Sequence, residues 1–332
     1  MMKLLKILSW GLLSVACNVS AETVKEGLTL YNQKEFNEAK GIFKSLAEQG
    51  DARATFWLGV TQFRTGEQFE AGSSLHKAAE AGDPWAMHLM VPSYNGYCDY
   101  LGWPCNESWM DKAIAGWKKL ADNGDGNAMY ALLRWGEKPW WSYVPILKQK
   151  KYGELVEEAV KAGGYRAASF NAGIPITIEK RTELLKYEAN KNYAPAMLGL
   201  YSVNKNHMKL DLDISQFLER MLLLGWSGVT LIFELEQSLP RIKSFSDIEA
   251  LSDEDKKLIS DLYYYSLINK RITGDQYFNT TVNIFNEKNE LFVVDLLTEG
   301  EKKRIEEKAR KFLVDFKVNL FIDEASSVHA LL

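Results

Sequence analysis

The sequence predicts an all-α fold: a right-handed solenoid of helix-turn-helix units closed by a C-terminal helical cap. Three observations carry this expectation. A phrase built around Gly or Asn recurs six times between residues 47 and 229, an apolar helical seam precedes each copy, and capping-box starts take over where the phrase stops. The 332 residues are 46% hydrophobic, enough for a sizeable core and too many for one compact domain of the commonest size. A net charge of -4 gives no electrostatic case for nucleic acid.

Residues 1–21 read as a secretory signal peptide. Lys3 and Lys6 supply the basic start, Ile7 to Val15 an apolar stretch, and Val19-Ser20-Ala21 the small residues read by a signal peptidase. The stretch is far short of the roughly 20 residues that span a bilayer. No later stretch is apolar enough to do so, and the mature chain is expected to be soluble and exported to the periplasm, secreted, or held at the envelope by lipid. The last option rests on Leu13-Ser14-Val15-Ala16-Cys17, which resembles a lipoprotein signal with Cys17 lipidated; Ser14 stands where a larger aliphatic residue is usual. Loss of Lys3 and Lys6 takes the net charge from -4 to -6.

The solenoid is expected over residues 22–240. Its phrase reads Ala47-Glu-Gln-Gly50-Asp51-Ala-Arg-Ala54, then Ala79-Glu-Ala-Gly82-Asp83-Pro-Trp-Ala86, then Ala121-Asp-Asn-Gly124-Asp125-Gly-Asn-Ala128. Weaker copies centre on Gly163, Asn192 and Gly225. A helix stops on a left-handed residue, which Gly supplies without steric cost and Asn tolerates. Asp51, Asp83 and Asp125 follow the stop and suit the start of the next helix. Upstream, Phe43, Leu75, Trp117, Val156, Leu185 and Leu218 mark the seam, and Ala39, Ala71, Ala113, Tyr152, Arg181 and Ile214 stand four residues earlier on the same helix face. No unit can bury this seam alone; stacking the neighbours buries it.

Residues 241–332 form the expected cap. Ser246-Asp-Ile-Glu249 and Thr298-Glu-Gly-Glu301 read as capping boxes, and Ser252-Asp-Glu-Asp255 as a looser one. Helices are expected near 253–271 and 299–318. Between them, residues 277–294 are rich in β-branched and aromatic side chains, and periodicity leaves helix and strand both open.

With Cys17 assigned to the leader, Cys98 and Cys105 remain, and in an exported chain they read as a disulfide. No histidine has ligand spacing to either cysteine, so no metal is expected, and nothing points to a cofactor. Eight of the nine tryptophans after Trp10 fall between Trp57 and Trp141. Tyr97, Tyr100, Trp103 and Trp109 surround the cysteine loop, and Trp140, Trp141 and Tyr143 lie between Pro139 and Pro145. Rings exposed on such inserts would anchor a protein partner; the alternative is that they fold back onto the solenoid as local cores. There is no Gly-x-Ser-x-Gly elbow, no His-Glu-x-x-His and no phosphate-binding Gly loop, so an enzyme is not expected.

Ala113-Ile-Ala-Gly-Trp117-Lys-Lys-Leu-Ala121-Asp-Asn-Gly124-Asp125-Gly-Asn-Ala128-Met129 resembles the signature of the Sel1-like repeat, a relative of the tetratricopeptide repeat, and the likeness covers about residues 25–235. The resemblance implies a protein-binding role. Among exported proteins of this kind a recurrent task is immunity to secreted antibacterial effectors, including lipases delivered by a type VI system, by occlusion of the toxin. An adaptor for host or envelope proteins is the second reading, and a cell-envelope hydrolase the reading from a different class.

Overall fold

The computed structural model describes residues 23–170, 173–286, 288 and 290–332; the expected leader, with Lys3, Lys6 and Cys17, lies outside them. Helix α1 (Val24–Asn32) precedes six helix pairs: α2 (Phe36–Glu48) with α3 (Ala52–Arg64), and α4 (Gln68–Glu80) with α5 (Pro84–Leu89). After a short helix α6 (Tyr97–Leu101) come α7 (Trp109–Asp122) with α8 (Gly126–Trp135), α9 (Pro145–Lys161) with α10 (Arg166–Ser169), α11 (Ile178–Asn190) with α12 (Ala194–Asn206), and α13 (Ile214–Leu223) with α14 (Val229–Glu236). Each helix packs on its successor in chain order, with α5 reaching past α6 to α7. This is the stacked solenoid that the recurring phrase predicts.

The phrase does locally what its chemistry requires. Gly50, Gly82, Gly124, Gly163 and Gly225 all have φ between 80° and 98°, and Asn192 has φ 62°. Asp51, Asp83 and Asp125 then cap the next helix, accepting from the backbone N–H of Ala54, of Trp85 and Ala86, and of Ala128. Each such cap is worth about 1 kcal/mol. The seam residues Phe43, Leu75, Trp117, Val156, Leu185 and Leu218 are all buried, as are Ala54, Ala86, Ala128, Ala167 and Ala196.

The C-terminal region holds α15 (Phe245–Glu249), α16 (Asp253–Thr273), strands β1 (Thr281–Phe285) and β2 (Leu291–Asp295), α17 (Glu299–Leu313) and α18 (Val328–Leu331). Helix α16 packs on α14, and α17 on α16, which covers the last seam of the solenoid. The Ser252–Asp255 and Thr298–Glu301 capping boxes form, but the expected box at Ser246 is corrected: Ser244 and Asp247 make it, two residues earlier. The open choice at 277–294 resolves as an antiparallel hairpin, with Val282 opposite Val294 and Ile284 opposite Phe292. β-branched side chains suit the pleat, and Ile284 is buried. Helix α17 ends at Leu313, five residues short of expectation. Among the described residues no helix is long and apolar enough to cross a membrane.

After α17 the chain turns back to its beginning. Asn319 N–H donates to the carbonyl of Gly225 at 2.8 Å, and Leu320 N–H to that of Asn32 at 3.0 Å. Two consecutive residues therefore bond to the sixth unit and to α1. The stacked pairs curve into an arch whose ends meet on the C-terminal tail.

Candidate binding surfaces

The insert between α8 and α9 builds the first surface. Pro139 leads into a 3-10 turn over Trp140–Tyr143, and Pro145 opens α9 at a position where its missing N–H costs nothing. The turn separates its rings. Trp141 folds inward, edge-on to Tyr152 at 5.1 Å, while Trp140 and Tyr143 stay 73% and 75% exposed. Ile146, in the first turn of α9, is 85% exposed and extends the apolar patch. On the inner side of the turn lies a cleft of about 340 Å³, lined by Met129, Leu132, Leu133, Trp141, Tyr152 and Leu155. An exposed aromatic pair on a proline-braced turn loses little entropy on contact with a partner.

The disulfide loop distributes its rings differently. Cys98 and Cys105 are bonded, with Cα atoms 5.8 Å apart, closing a loop that turns at Gly102. The expectation of an exposed Trp103 is corrected: it is 7% exposed. Its indole N–H donates to the Gln68 carbonyl at 3.1 Å, and the ring lies so close over Gly72 that a Cβ there would sit 2.4 Å from it. Phe63 meets it edge-on and also packs on Tyr97, which is half-buried. Trp109 is half-buried against His76, with the Lys112 ammonium 4.2 Å over its ring. Of the four rings at this loop, Tyr100 alone points out, 82% exposed. The loop is thus mainly a local core that fixes the α4–α7 spacing.

Two buried titratable groups lie deeper. His88 is enclosed by Tyr94, Trp117 and Trp135, and desolvation, aided by the Arg134 charge, pulls its pKa down to about 4. Glu188 is fully buried; desolvation raises its pKa to about 8 against the Ser169 hydroxyl bond and the Arg181 charge. Enclosed in the core, neither group meets a solvent-borne substrate.

The second surface is the inner face of the arch, where the tail lies. Arg53 stands between Asp83 at 2.6 Å and Glu324 at 3.1 Å. Arg166 pairs with Asp323 at 2.6 Å and donates to the Phe321 carbonyl at 2.7 Å. Both arginines occupy the same place in their units, the residue before the buried Ala of the phrase. Phe321 packs edge-on against Tyr193 and Trp226, and Leu331 and Leu332 are buried.

No family model matches the sequence, and no curated protein matches it. Among solved structures, the chain is similar to a protective antigen of uropathogenic Escherichia coli strains that displays an SLR fold, at 18% identity and a TM-score of 0.37, over 72% of this chain and 49% of that one. It is also similar to a Sel1 repeat protein from Oxalobacter formigenes, at 15% identity and a TM-score of 0.35, over 87% of this chain and all of that one. The chain resembles Sel1-like repeat proteins. It spans about half the length of the first of these structures.

Within the stacked units, sequence reasoning finds the insert at Trp140 and Tyr143 but misses Ile146, which reads as an ordinary helix-start residue. It also misses the inward arginines. The signal is local: Arg53 and Arg166 each stand directly before a buried Ala of the recurring phrase, at the helix start that faces the tail.

Proposed function

We propose that this chain is a protein-binding repeat protein acting outside the cytoplasm, and that it grips its partner through the Trp140–Ile146 insert. The observation that carries this reading is the pair of exposed rings, Trp140 and Tyr143, beside an exposed Ile146 on a braced turn. Single exposed apolar side chains are ordinary, but a contiguous apolar patch marks an interaction site. The bonded Cys98–Cys105 pair is the chemistry of an oxidising compartment, which supports export. The net negative charge suits a basic partner. Immunity to a secreted antibacterial effector, by covering the toxin's active or membrane-contacting surface, is the specific task we favour; an envelope adaptor is the competing one. An enzyme is not supported by the buried placement of His88 and Glu188.

A photo-crosslinking residue in place of Tyr143 captures the partner from an envelope extract, and titration of that purified partner measures the anchor. Trp140→Ala and Tyr143→Ala each weaken affinity by about 1 kcal/mol or more without changing the unfolding midpoint. Unchanged affinity in both variants overturns the reading. Rescue of a host from the captured protein's toxicity by co-expression separates immunity from the adaptor role.

A further inference from the structure

We propose that the inner groove of the arch is a binding site for an acidic peptide, which residues 319–332 of this chain occupy in cis and a competing segment enters by displacing them. The proposal goes beyond the outer insert and does not rest on it.

The groove reads main chain before it reads side chains. The Asn32 amide clamps Ile322 from both sides: its Nδ2–H donates to the Ile322 carbonyl at 2.9 Å, and its Oδ1 accepts from the Ile322 N–H at 2.6 Å. The carbonyls of Asn32 and Gly225 accept from Leu320 and Asn319, and the Arg64 guanidinium donates to the Ala330 carbonyl. Bonds of this kind give affinity for any extended segment, while side-chain contacts select among segments. Selection here is by charge and shape. Arg166 and Arg53, from the fourth and first units, take the adjacent carboxylates of Asp323 and Glu324. Beyond them the groove holds small and apolar residues, Ala325, Leu331 and Leu332. The preferred occupant is therefore a segment with an extended lead, two neighbouring carboxylates where it turns, and small and apolar residues in a short helix after them.

The tail lies in the groove outside the helix pairs. Residues 316–323 form neither helix nor strand, α18 follows, and Val318, Ala325, Leu331 and Leu332 pack into the core from this one segment. Nothing in the Asn32 clamp or the arginine pairs requires the bound segment to be joined to α17. A cis segment lowers the apparent affinity for a rival in proportion to its own occupancy.

A labelled synthetic peptide of residues 318–332, titrated into the full chain by fluorescence anisotropy, tests this. The full-length Asp323→Asn/Glu324→Gln variant, whose own tail is weakened, binds the peptide about tenfold more tightly than the wild type does. A peptide carrying the same two substitutions loses that binding. A variant with an unchanged circular dichroism spectrum that takes up no peptide, or takes up a scrambled one equally, overturns the proposal. Hydrogen exchange on the wild-type chain gives a second reading that needs no variant. The amides of Leu320 and Ile322 exchange by local opening, faster than those of α3 and α7; exchange only through global unfolding makes the tail a permanent part of the core and overturns the proposal.

Discussion

His88 carries a pH dependence that the fold imposes on one side chain. Its ring lies 4.3 Å from Trp135 and 5.5 Å from Trp117 by centroids, and burial favours the neutral imidazole, with a pKa of about 4. The unfolded chain takes up that proton near 6.5. A lowered folded-state pKa contributes stability that is present above pH 6.5 and is lost as the pH falls toward 4. The wild type should lose about 2 kcal/mol between pH 7.5 and 4.5 that a His88→Phe variant does not lose. Urea unfolding of both proteins at the two pH values checks this, and parallel losses would refute it. Trp103 makes a second residue-scale prediction. Because it is buried over Gly72, Trp103→Ala should destabilise the chain by about 3 kcal/mol, read as a drop in the urea midpoint. A midpoint within error of the wild type would return Trp103 to the surface. The inward turn of Trp103 was not legible because loop composition does not say which ring folds back; the room for it lies at Gly72 on another helix.

At the scale of the element, the helix pair depends on its left-handed stop. Gly124 has φ 87° and open space around its absent Cβ, so Gly124→Ala introduces backbone strain and no clash. The expected cost is about 1 kcal/mol with the fold retained, measured by thermal unfolding; a neutral or stabilising result would mean that the stop tolerates any residue. The stops were legible in the sequence because every participant is local: the small residues, the Gly or Asn, the Asp cap and the buried Ala lie within eight positions. That locality made even the weak copy at Asn192 readable. The hairpin of β1 and β2 was only half legible. Its β-branched residues mark it as strand-like, but Phe285, Leu291 and Val293 remain exposed, so no clean alternation of buried and exposed positions distinguishes strand from helix. The Ser244 box was misplaced by two residues because several Ser and Asp residues in that stretch offer alternative pairings.

For the whole molecule, the decisive feature is closure. A stacked array needs a cap on its last seam, and α16 and α17 provide it as the sequence suggests. The return of the tail to α1 was not legible, because its partners, Asn32 and Gly225, stand about 290 and 95 positions away and no local pattern marks such a contact. Closure divides the molecule into an outer surface, where the Trp140–Ile146 insert is free, and an inner groove already filled by Asp323, Glu324 and their neighbours. It also brings Lys25 of α1 and Leu223 of α13, two exposed residues, to the same cleft of about 670 Å³ at the joint. Spin labels at Lys25→Cys and Leu223→Cys, with the Cys98–Cys105 bond left intact, measure the closure directly by double electron–electron resonance. A single short distance is the predicted result. A long or broad distribution, as from a superhelix whose ends stand apart, would contradict it.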